Sequence, residues 1–328
     1  MKFICKVCYR EYSTGTYEFR CACGGLFDLV KEPGETIKSS ISLGETVTPV
    51  LLRDFDGLKL HLKLDYLMPT GSFKDRGAYA LINHAYNIGV KDVVEDSSGN
   101  AAASIAAYSA AAGIKCNIYI PASTSEGKVK QMKAYGANVV KIEGSRDDVA
   151  RATLDAAENT YYASHVYNPI FYEGTGSIVE EIETQTGTPD WLVIPVGNGT
   201  MLIGAYKAYK ALGKMPRILA VQSENCATVY NAFHGKDTTP VSPTVAEGIA
   251  VGLPMRKEEL VQIIQESGGT VITVADEEVK EANKRLSLMG IYCEPTSAAS
   301  VAGALKYFKK GEVALIVAPL TGSGLKKG

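Results

Sequence analysis

A lysine stands in the segment Pro69-Thr70-Gly71-Ser72-Phe73-Lys74-Asp75-Arg76-Gly77, which follows a strand-like run and opens a helix-like one. At the positive end of a helix dipole, on a turn that glycine makes permissive, the charged form of Lys74 is disfavoured, and an uncharged amine is what Schiff-base chemistry needs. The same residues also read as a solvated Lys–Asp–Arg cluster, and the segment alone leaves both readings open. Asp96-Ser97-Ser98-Gly99-Asn100 lies between a strand and an alanine-rich helix. Its hydroxyls, amide and backbone N–H groups could cradle a carboxylate, or Ser and Asn could simply cap the helix. In Ile194-Pro195-Val196-Gly197-Asn198-Gly199-Thr200, two glycines let backbone N–H groups approach a phosphate where a helix begins. No G-K-[ST] follows, so it is not a P-loop, and Gly204 comes too late for G-x-G-x-x-G. Glu224 nevertheless ends the next strand at a spacing suited to a ribose contact, which admits a nicotinamide-dependent dehydrogenase. That reading gives Lys74 no task. Pro319-Leu320-Thr321-Gly322-Ser323-Gly324 puts a hydroxyl on a glycine-flanked turn at the edge where an open α/β sheet holds its ligand. Taken alone it reads as a polar terminal turn.

Four of the seven cysteines fall within the first 23 residues, as Cys5-x2-Cys8 and Cys21-x-Cys23. Four soft ligands on two short knuckles suit tetrahedral Zn²⁺, and metal binding would supply folding energy that so short a segment cannot bury for itself. With protein at all four positions the zinc would be structural. The competing reading is incidental thiols, since one pair is C-x-C and not the commoner C-x2-C. A zinc ribbon also raises nucleic-acid binding, but residues 1–34 carry five Lys/Arg against four Asp/Glu and show no basic face.

These loops need elements to hold them. Apolar strand candidates lie at 58–64, 92–96, 116–120, 138–142, 191–196, 217–222, 270–275 and 313–318. Helix-length segments at 75–87, 100–112, 146–159, 174–185, 201–212, 277–289 and 296–310 separate most of them. Strands alternating with helices imply βαβ units, right-handed crossovers and a largely parallel sheet with helices on both faces, so the fold class is α/β. The 328 residues suggest roughly two domains. A formal net charge of −2 gives no footprint for nucleic acid or an anionic membrane surface. The longest run of small apolar residues, 101–114, is too short to span a bilayer, and no apolar leader opens the chain. The expectation is a cytoplasmic protein with no membrane partner.

The four loops fall at carboxyl ends of strands and together supply a lysine, an asparagine, a phosphate loop and a terminal hydroxyl. With Thr70-Gly71-Ser72-Phe73-Lys74-Asp75-Arg76-Gly77, Ser98-Gly99-Asn100, Glu294-Pro295-Thr296-Ser297-Ala298-Ala299-Ser300 and Thr321-Gly322-Ser323-Gly324-Leu325-Lys326, the chain resembles the tryptophan synthase β superfamily. These are the fold type II pyridoxal-phosphate enzymes, and within them it looks like threonine synthase and its threonine-dehydratase relatives. The resemblance spans essentially the whole chain, including the zinc ribbon that some threonine synthases carry. It implies two open, mostly parallel three-layer αβα domains plus that ribbon. The ribbon would be 1–34, the larger cofactor-binding domain 35–78 and 167–328, and the smaller mobile domain 79–166. It implies pyridoxal 5'-phosphate held by Lys74 as a Schiff base, with Phe73 beside it. Lys74 would later move the proton at the substrate α-carbon. Asn100 would bond the cofactor's phenolic oxygen, while Ser97, Ser98, Gly99 and Asn100 take the substrate carboxylate. Gly197, Asn198, Gly199 and Thr200 would hold the phosphate, and Thr321 would face the pyridine nitrogen. A neutral hydroxyl there leaves that nitrogen largely unprotonated, which favours elimination and replacement over transamination. A small amino-acid substrate and a homodimer are expected.

The sequence departs from the threonine synthase pattern in one run. Where that family shows a stretch like Asn-Pro-x-Arg-x-x-Gly-Gln-Lys-Thr, here stands Asn168-Pro169-Ile170-Phe171-Tyr172-Glu173-Gly174-Thr175-Gly176-Ser177, with Phe171 and Gly176 at the basic positions. Ala101 replaces a threonine after the asparagine, and Lys327 replaces an aspartate. His165 and the Gly174–Ser177 stretch read closer to dehydratases. The expected activity is elimination or replacement on the side chain of a small L-amino acid. It would be of threonine synthase type, from O-phosphohomoserine to threonine with an atypical phosphate site, or alternatively that of a threonine/serine dehydratase. Outside the family stand the nicotinamide-dependent dehydrogenase and a non-catalytic zinc-ribbon binding protein.

Overall fold

The structure is a computed structural model that describes residues 1–32 and 34–326. Lys327, one of the departures noted above, lies outside the described residues. The first strands are β1 (Lys2–Cys5), β2 (Glu11–Ser13), β3 (Phe27–Val30), β4 (Val50–Phe55) and β5 (Leu58–Lys63). There follow α1 (Lys74–Asn87), β6 (Asp92–Glu95), α2 (Asn100–Ala112), β7 (Lys115–Pro121), α3 (Glu126–Ala134), β8 (Asn138–Ile142), α4 (Arg146–Ala157), β9 (Tyr161–Tyr162) and α5 (Pro169–Thr175). The remainder comprises α6 (Ile178–Thr186), β10 (Trp191–Pro195), α7 (Thr200–Ala211), β11 (Arg217–Ser223), α8 (Thr228–Phe233), α9 (Lys257–Glu266), β12 (Thr270–Val274), α10 (Asp276–Leu288), α11 (Pro295–Tyr307) and β13 (Ile316–Pro319).

The chain forms two compact units. The first, Met1–Glu45 with Lys74–Thr175, holds a parallel four-stranded sheet in the order β8-β7-β6-β9 and a small antiparallel sheet β2-β1-β3. The second, Thr46–Phe73 with Gly176 onward, holds a six-stranded sheet in the order β12-β11-β10-β13-β5-β4, parallel except for β4. In β10 and β11, Val193, Leu219 and Val221 join the core formed with α10 and α11, while Leu192, Ile194, Ile218 and Ala220 point the opposite way and are equally buried. A sheet buried on both faces is what turned these strands into continuous apolar runs.

The chain crosses between units after Glu45, Phe73 and Thr175, whereas the sequence divisions stood after 34, 78 and 166. Packing accounts for the difference. Helix α1 lies along α2 and α5, so all of α1 and α5 belong to the first unit. The cysteine segment joins that unit too, because Phe3, Cys5, Cys21 and Phe27 share one core with Ala78, Leu81 and Ile105.

Candidate active site

In the second unit three of the singled-out motifs are stitched together. The amide of Phe73 donates to the Thr321 carbonyl at 2.9 Å, and the Ser323 amide donates to the Gly71 carbonyl at 2.9 Å. Ser72 and Gly322 pair as an isolated antiparallel bridge between them. The Glu294 amide donates to the Gly322 carbonyl at 2.9 Å, which brings the Glu294–Ser300 motif to the same place. Ser297 Oγ accepts from the Gly322 amide at 2.9 Å and lies 3.2 Å from Thr321 Oγ1. Thr321 is buried, so its hydroxyl sits in a network of hydroxyls, with the Glu294 carboxylate 3.5 Å away. Ser72 Oγ is buried in the same place with no hydrogen-bond partner among the described residues. A buried hydroxyl without a partner costs about 1–3 kcal/mol, so it marks a spot shaped for something polar.

The glycine loop of this unit leaves β10 and enters α7 through Gly199, the helix N-cap, in the left-handed conformation at φ 75°. No side chain caps α7. A Cβ at Gly199 would lie 2.1 Å from Leu260, and one at Gly197 would lie 3.0 Å from the Ile249 Cα and 3.1 Å from the Gly248 carbonyl. Close backbone approach favours glycine at 197, and the left-handed backbone with the Leu260 side chain alongside favours it at 199. Gly248, unnoticed in the sequence, donates its amide to Thr296 Oγ1 at 2.9 Å and so ties this loop to the Glu294–Ser300 motif. The pair Gly248 and Gly252 was the available signal.

In the first unit Lys74 opens α1 and is half-buried. Its Nζ lies 5.8 Å from the centre of the Phe171 ring. Phe171 is fully buried, and its ring rests on Gly77, where a Cβ would come within 2.3 Å. Gly174 permits the same closeness from α5, since a Cβ there would lie 2.2 Å from the Arg76 carbonyl. Asn168 turns the chain into α5 by accepting from the Ile170 amide at 3.0 Å and donating to the Tyr161 hydroxyl at 2.8 Å. His165 meets the Phe171 ring edge-on at 6.0 Å and bonds the buried Glu95 carboxylate through Nδ1 at 2.6 Å. Glu95 carried no sequence signal, because its partner lies 70 residues away.

The Ser97–Asn100 loop links β6 to α2, with Gly99 as N-cap and no side-chain capping bond. The Gly99 amide donates to Ser97 Oγ at 3.2 Å, and Ser97, Ser98 and Asn100 are half-buried, open enough to receive a ligand.

The four N-terminal thiols also converge. Their sulfurs all lie within 4.8 Å of one another, three pairs at 3.5 Å. Tetrahedral Zn²⁺ with bonds of about 2.3 Å spaces its sulfurs about 3.8 Å apart, so the donor set fits the metal in number, type and spacing. A hydrogen bond from the Tyr12 hydroxyl, 3.1 Å away, draws the Cys21 thiol down to about 6, which favours the thiolate a metal requires. Within the cluster Cys5 is also drawn down while hydrogen bonds from its neighbouring cysteines push Cys23 up to about 12, and outside it burial pushes Cys116 and Cys293 up to about 12.

Known proteins match this chain along most of its length. The family described as "Pyridoxal-phosphate dependent enzyme" matches residues 41–322. A threonine synthase from Methanocaldococcus jannaschii is 31% identical over 372 aligned residues, covering 98% of this chain and 92% of that protein. Among solved structures, maize serine racemase superposes with a TM-score of 0.78 at 25% identity, covering 86% of this chain and 89% of the other. Threonine deaminase isoform 2 from Solanum lycopersicum does so with a TM-score of 0.75 at 25% identity, covering 85% and 80%. No helix among the described residues is long and apolar enough to cross a membrane.

Proposed function

The chain is a threonine synthase-like member of the pyridoxal-phosphate dependent enzyme family, and from that premise we propose that it catalyses elimination on a small, unphosphorylated L-amino acid, releasing a keto acid and ammonia. When bound, pyridoxal phosphate supplies the electron sink that makes the α-hydrogen of an amino acid acidic. Lys74 would hold the cofactor through Nζ and would move the proton at the substrate α-carbon. Gly197, Asn198, Gly199 and Thr200 hold the phosphate at the start of α7, where first-turn amides and the helix dipole favour an anion. Ser97, Ser98, Gly99 and Asn100 take the substrate carboxylate, and Asn100 also bonds the phenolic oxygen. Thr321 offers the ring nitrogen a neutral hydroxyl, and Phe73 packs beside the ring. The four cysteines hold one structural zinc, and the working form is a cytoplasmic homodimer with no nucleic-acid or membrane partner.

The observation that carries the substrate reading is Phe171. A phosphorylated amino acid brings nearly two negative charges into the site, each costly to bury unpaired, and a site built for it supplies Arg or Lys forks. Where the resemblance puts such a residue, this chain has a fully buried ring seated on Gly77. The test is a steady-state comparison. L-Threonine or L-serine should be turned over with a kcat/KM at least equal to that of O-phosphohomoserine. A value for O-phosphohomoserine about 200-fold higher, about 3 kcal/mol of selective transition-state binding, overturns the reading. The second reading is threonine synthesis from O-phosphohomoserine, which the naming of the 31%-identical relative supports.

A further inference from the structure

The cysteine ribbon has an attachment that a purely self-contained metal knuckle would not need. Its segment between β2 and Cys21 lies along β9, the edge strand of the first unit's sheet. The Thr14 carbonyl bonds His84 Nε2 at 2.8 Å, and the Tyr17 ring meets Tyr161 edge-on at 5.5 Å. Phe19, two residues before Cys21, enters an aromatic group: its ring meets Tyr162 at 5.6 Å and Tyr167 at 5.2 Å, both edge-on. The Arg20 guanidinium covers its remaining face at 5.3 Å.

Tyr162 extends this contact into the loop chemistry. It is buried, and its hydroxyl donates to Asp96 Oδ1 at 2.7 Å. Burial, with the Asp96 and Glu95 carboxylates close by, holds the phenol well above its ordinary range, so it remains a donor throughout the working pH range. Asp96 is itself buried and directly precedes Ser97. The strand register fixes the rest, since Tyr162 pairs with Val94 and the Ala163 amide donates to the Val94 carbonyl at 2.9 Å. The backbone that delivers Ser97 is thus held through a side-chain hydrogen bond from Tyr162 to Asp96, and the ring that makes this bond packs against Phe19 of the cysteine ribbon. Tyr17 reaches the same strand through Tyr161, whose hydroxyl instead serves Asn168.

We propose that Phe19 and Tyr162 are positioning residues for the Ser97–Asn100 loop, so that the folded cysteine ribbon sets the affinity for the substrate carboxylate through Asp96. The inference rests on the reading of that loop as the carboxylate site. Aromatic contacts and a buried hydrogen bond are each worth about 1 kcal/mol, enough to shift a loop's occupancy of its binding geometry but not to supply the chemistry. The effect therefore falls on KM.

The test compares Phe19→Ala, Tyr162→Phe, their combination, Tyr17→Ala and Ser98→Ala in the cofactor-loaded full chain. The substrate is whichever of L-threonine, L-serine or O-phosphohomoserine the parent turns over best. Zinc content and the thermal midpoint are measured alongside. Phe19→Ala and Tyr162→Phe should each raise KM roughly five- to tenfold, the scale of one buried hydrogen bond, with kcat within about twofold and zinc content unchanged. The double variant should do little more than either single one, because both act through Asp96. Tyr17→Ala should lower the thermal midpoint without moving KM, which separates positioning from mere stability. If Phe19→Ala and Tyr162→Phe lose stability while KM stays at the parent value, the proposal is wrong. Additive effects of the two overturn the route through Asp96. An unchanged KM for Ser98→Ala overturns the loop's carboxylate role itself, whereas a raised KM there beside an unchanged one for Phe19→Ala overturns only the ribbon's part.

Discussion

Lys63 and Lys74 stand eleven residues apart, at the end of β5 and the start of α1, one fully buried and the other half-buried. Lys63 is fully buried, with Nζ 2.5 Å from Glu181 Oε2, 2.5 Å from the Thr48 carbonyl and 2.9 Å from Gln185 Oε1. Thr48 Oγ1 continues the group by donating to the buried Asp65 carboxylate at 2.7 Å. Every one of these partners accepts from the Lys63 ammonium. Lys74 is half-buried at a helix N-terminus, beside an aromatic ring, where a positive charge faces the positive end of the dipole. The same side chain is an internal tie in one region and a candidate nucleophile in the other. Environment, not residue type, assigns the role.

The comparison is easiest to break by exchange. Lys74→Ala should lower turnover at least about a thousandfold, because on the proposed reading this one side chain both holds the cofactor and moves the proton, while the thermal midpoint shifts little. Retained turnover in that variant would dissolve the distinction. Lys63→Met should do the opposite: unfolding free energy drops by about 2–3 kcal/mol, since the half-buried Glu181 carboxylate loses this ammonium and the Thr48 carbonyl and Gln185 lose a donor. Urea denaturation reads this. Adding Glu181→Met should recover much of the loss, and a single variant as stable as the parent would show the tie to be ornamental.

Smaller effects sharpen the contrast between the two glycine-led helix starts. Gly199→Ala forces a positive φ on alanine and drives its Cβ into Leu260, so it should cost about 1–3 kcal/mol and weaken retention of pyridoxal phosphate in a fluorescence titration. Gly99 has φ −122° and open space, so Gly99→Ala should cost under about 1 kcal/mol. Equal costs would mean that the Gly197–Thr200 loop is no tighter than the Ser97–Asn100 loop.

The smallest effect is one of pH. Burial holds the His84 imidazole below its ordinary value while Nε2 meets the Thr14 carbonyl. The folded form therefore prefers the neutral ring. Its contribution is complete above the unfolded value of about 6.5 and is lost as pH falls from there through the folded value, with a slope of at most about 1.4 kcal/mol per pH unit. His84→Gln should flatten the acid side of a stability profile. An unchanged slope would show that the ribbon contact does not titrate with this ring.

Much of this was legible in the chain, for physical reasons. Strands such as Trp191–Pro195 are apolar on both faces because helices cover both, and each ends in a glycine- or serine-bearing loop, so the strand-to-loop grammar exposed Lys74, Ser97–Asn100, Gly197–Thr200 and Thr321 as positions. Strand β4 escaped notice because Arg53 and Asp54 interrupt its pattern at the sheet edge, and α3 because only Val129 and Met132 of its residues are buried. Strand β9 has two residues, too few for any period. The supporting shell was least visible. Glu95 with His165, Asp96 with Tyr162 and Gly248 with Thr296 are partnerships across 70, 66 and 48 residues, and no local pattern announces them. Phe171 was visible only as a departure; that its ring needs Gly77 beneath it is a property of the packed pair of helices.

Borohydride tests most directly whether Lys74 is the lysine that holds the cofactor. Reduction of the pyridoxal-phosphate-loaded protein, followed by peptide mass mapping, should fix one pyridoxyl group per chain on the peptide containing Lys74. A reduced adduct on the peptide of Lys63 or of any other lysine, or a protein that takes up no pyridoxal phosphate and binds a nicotinamide cofactor instead, would contradict that assignment.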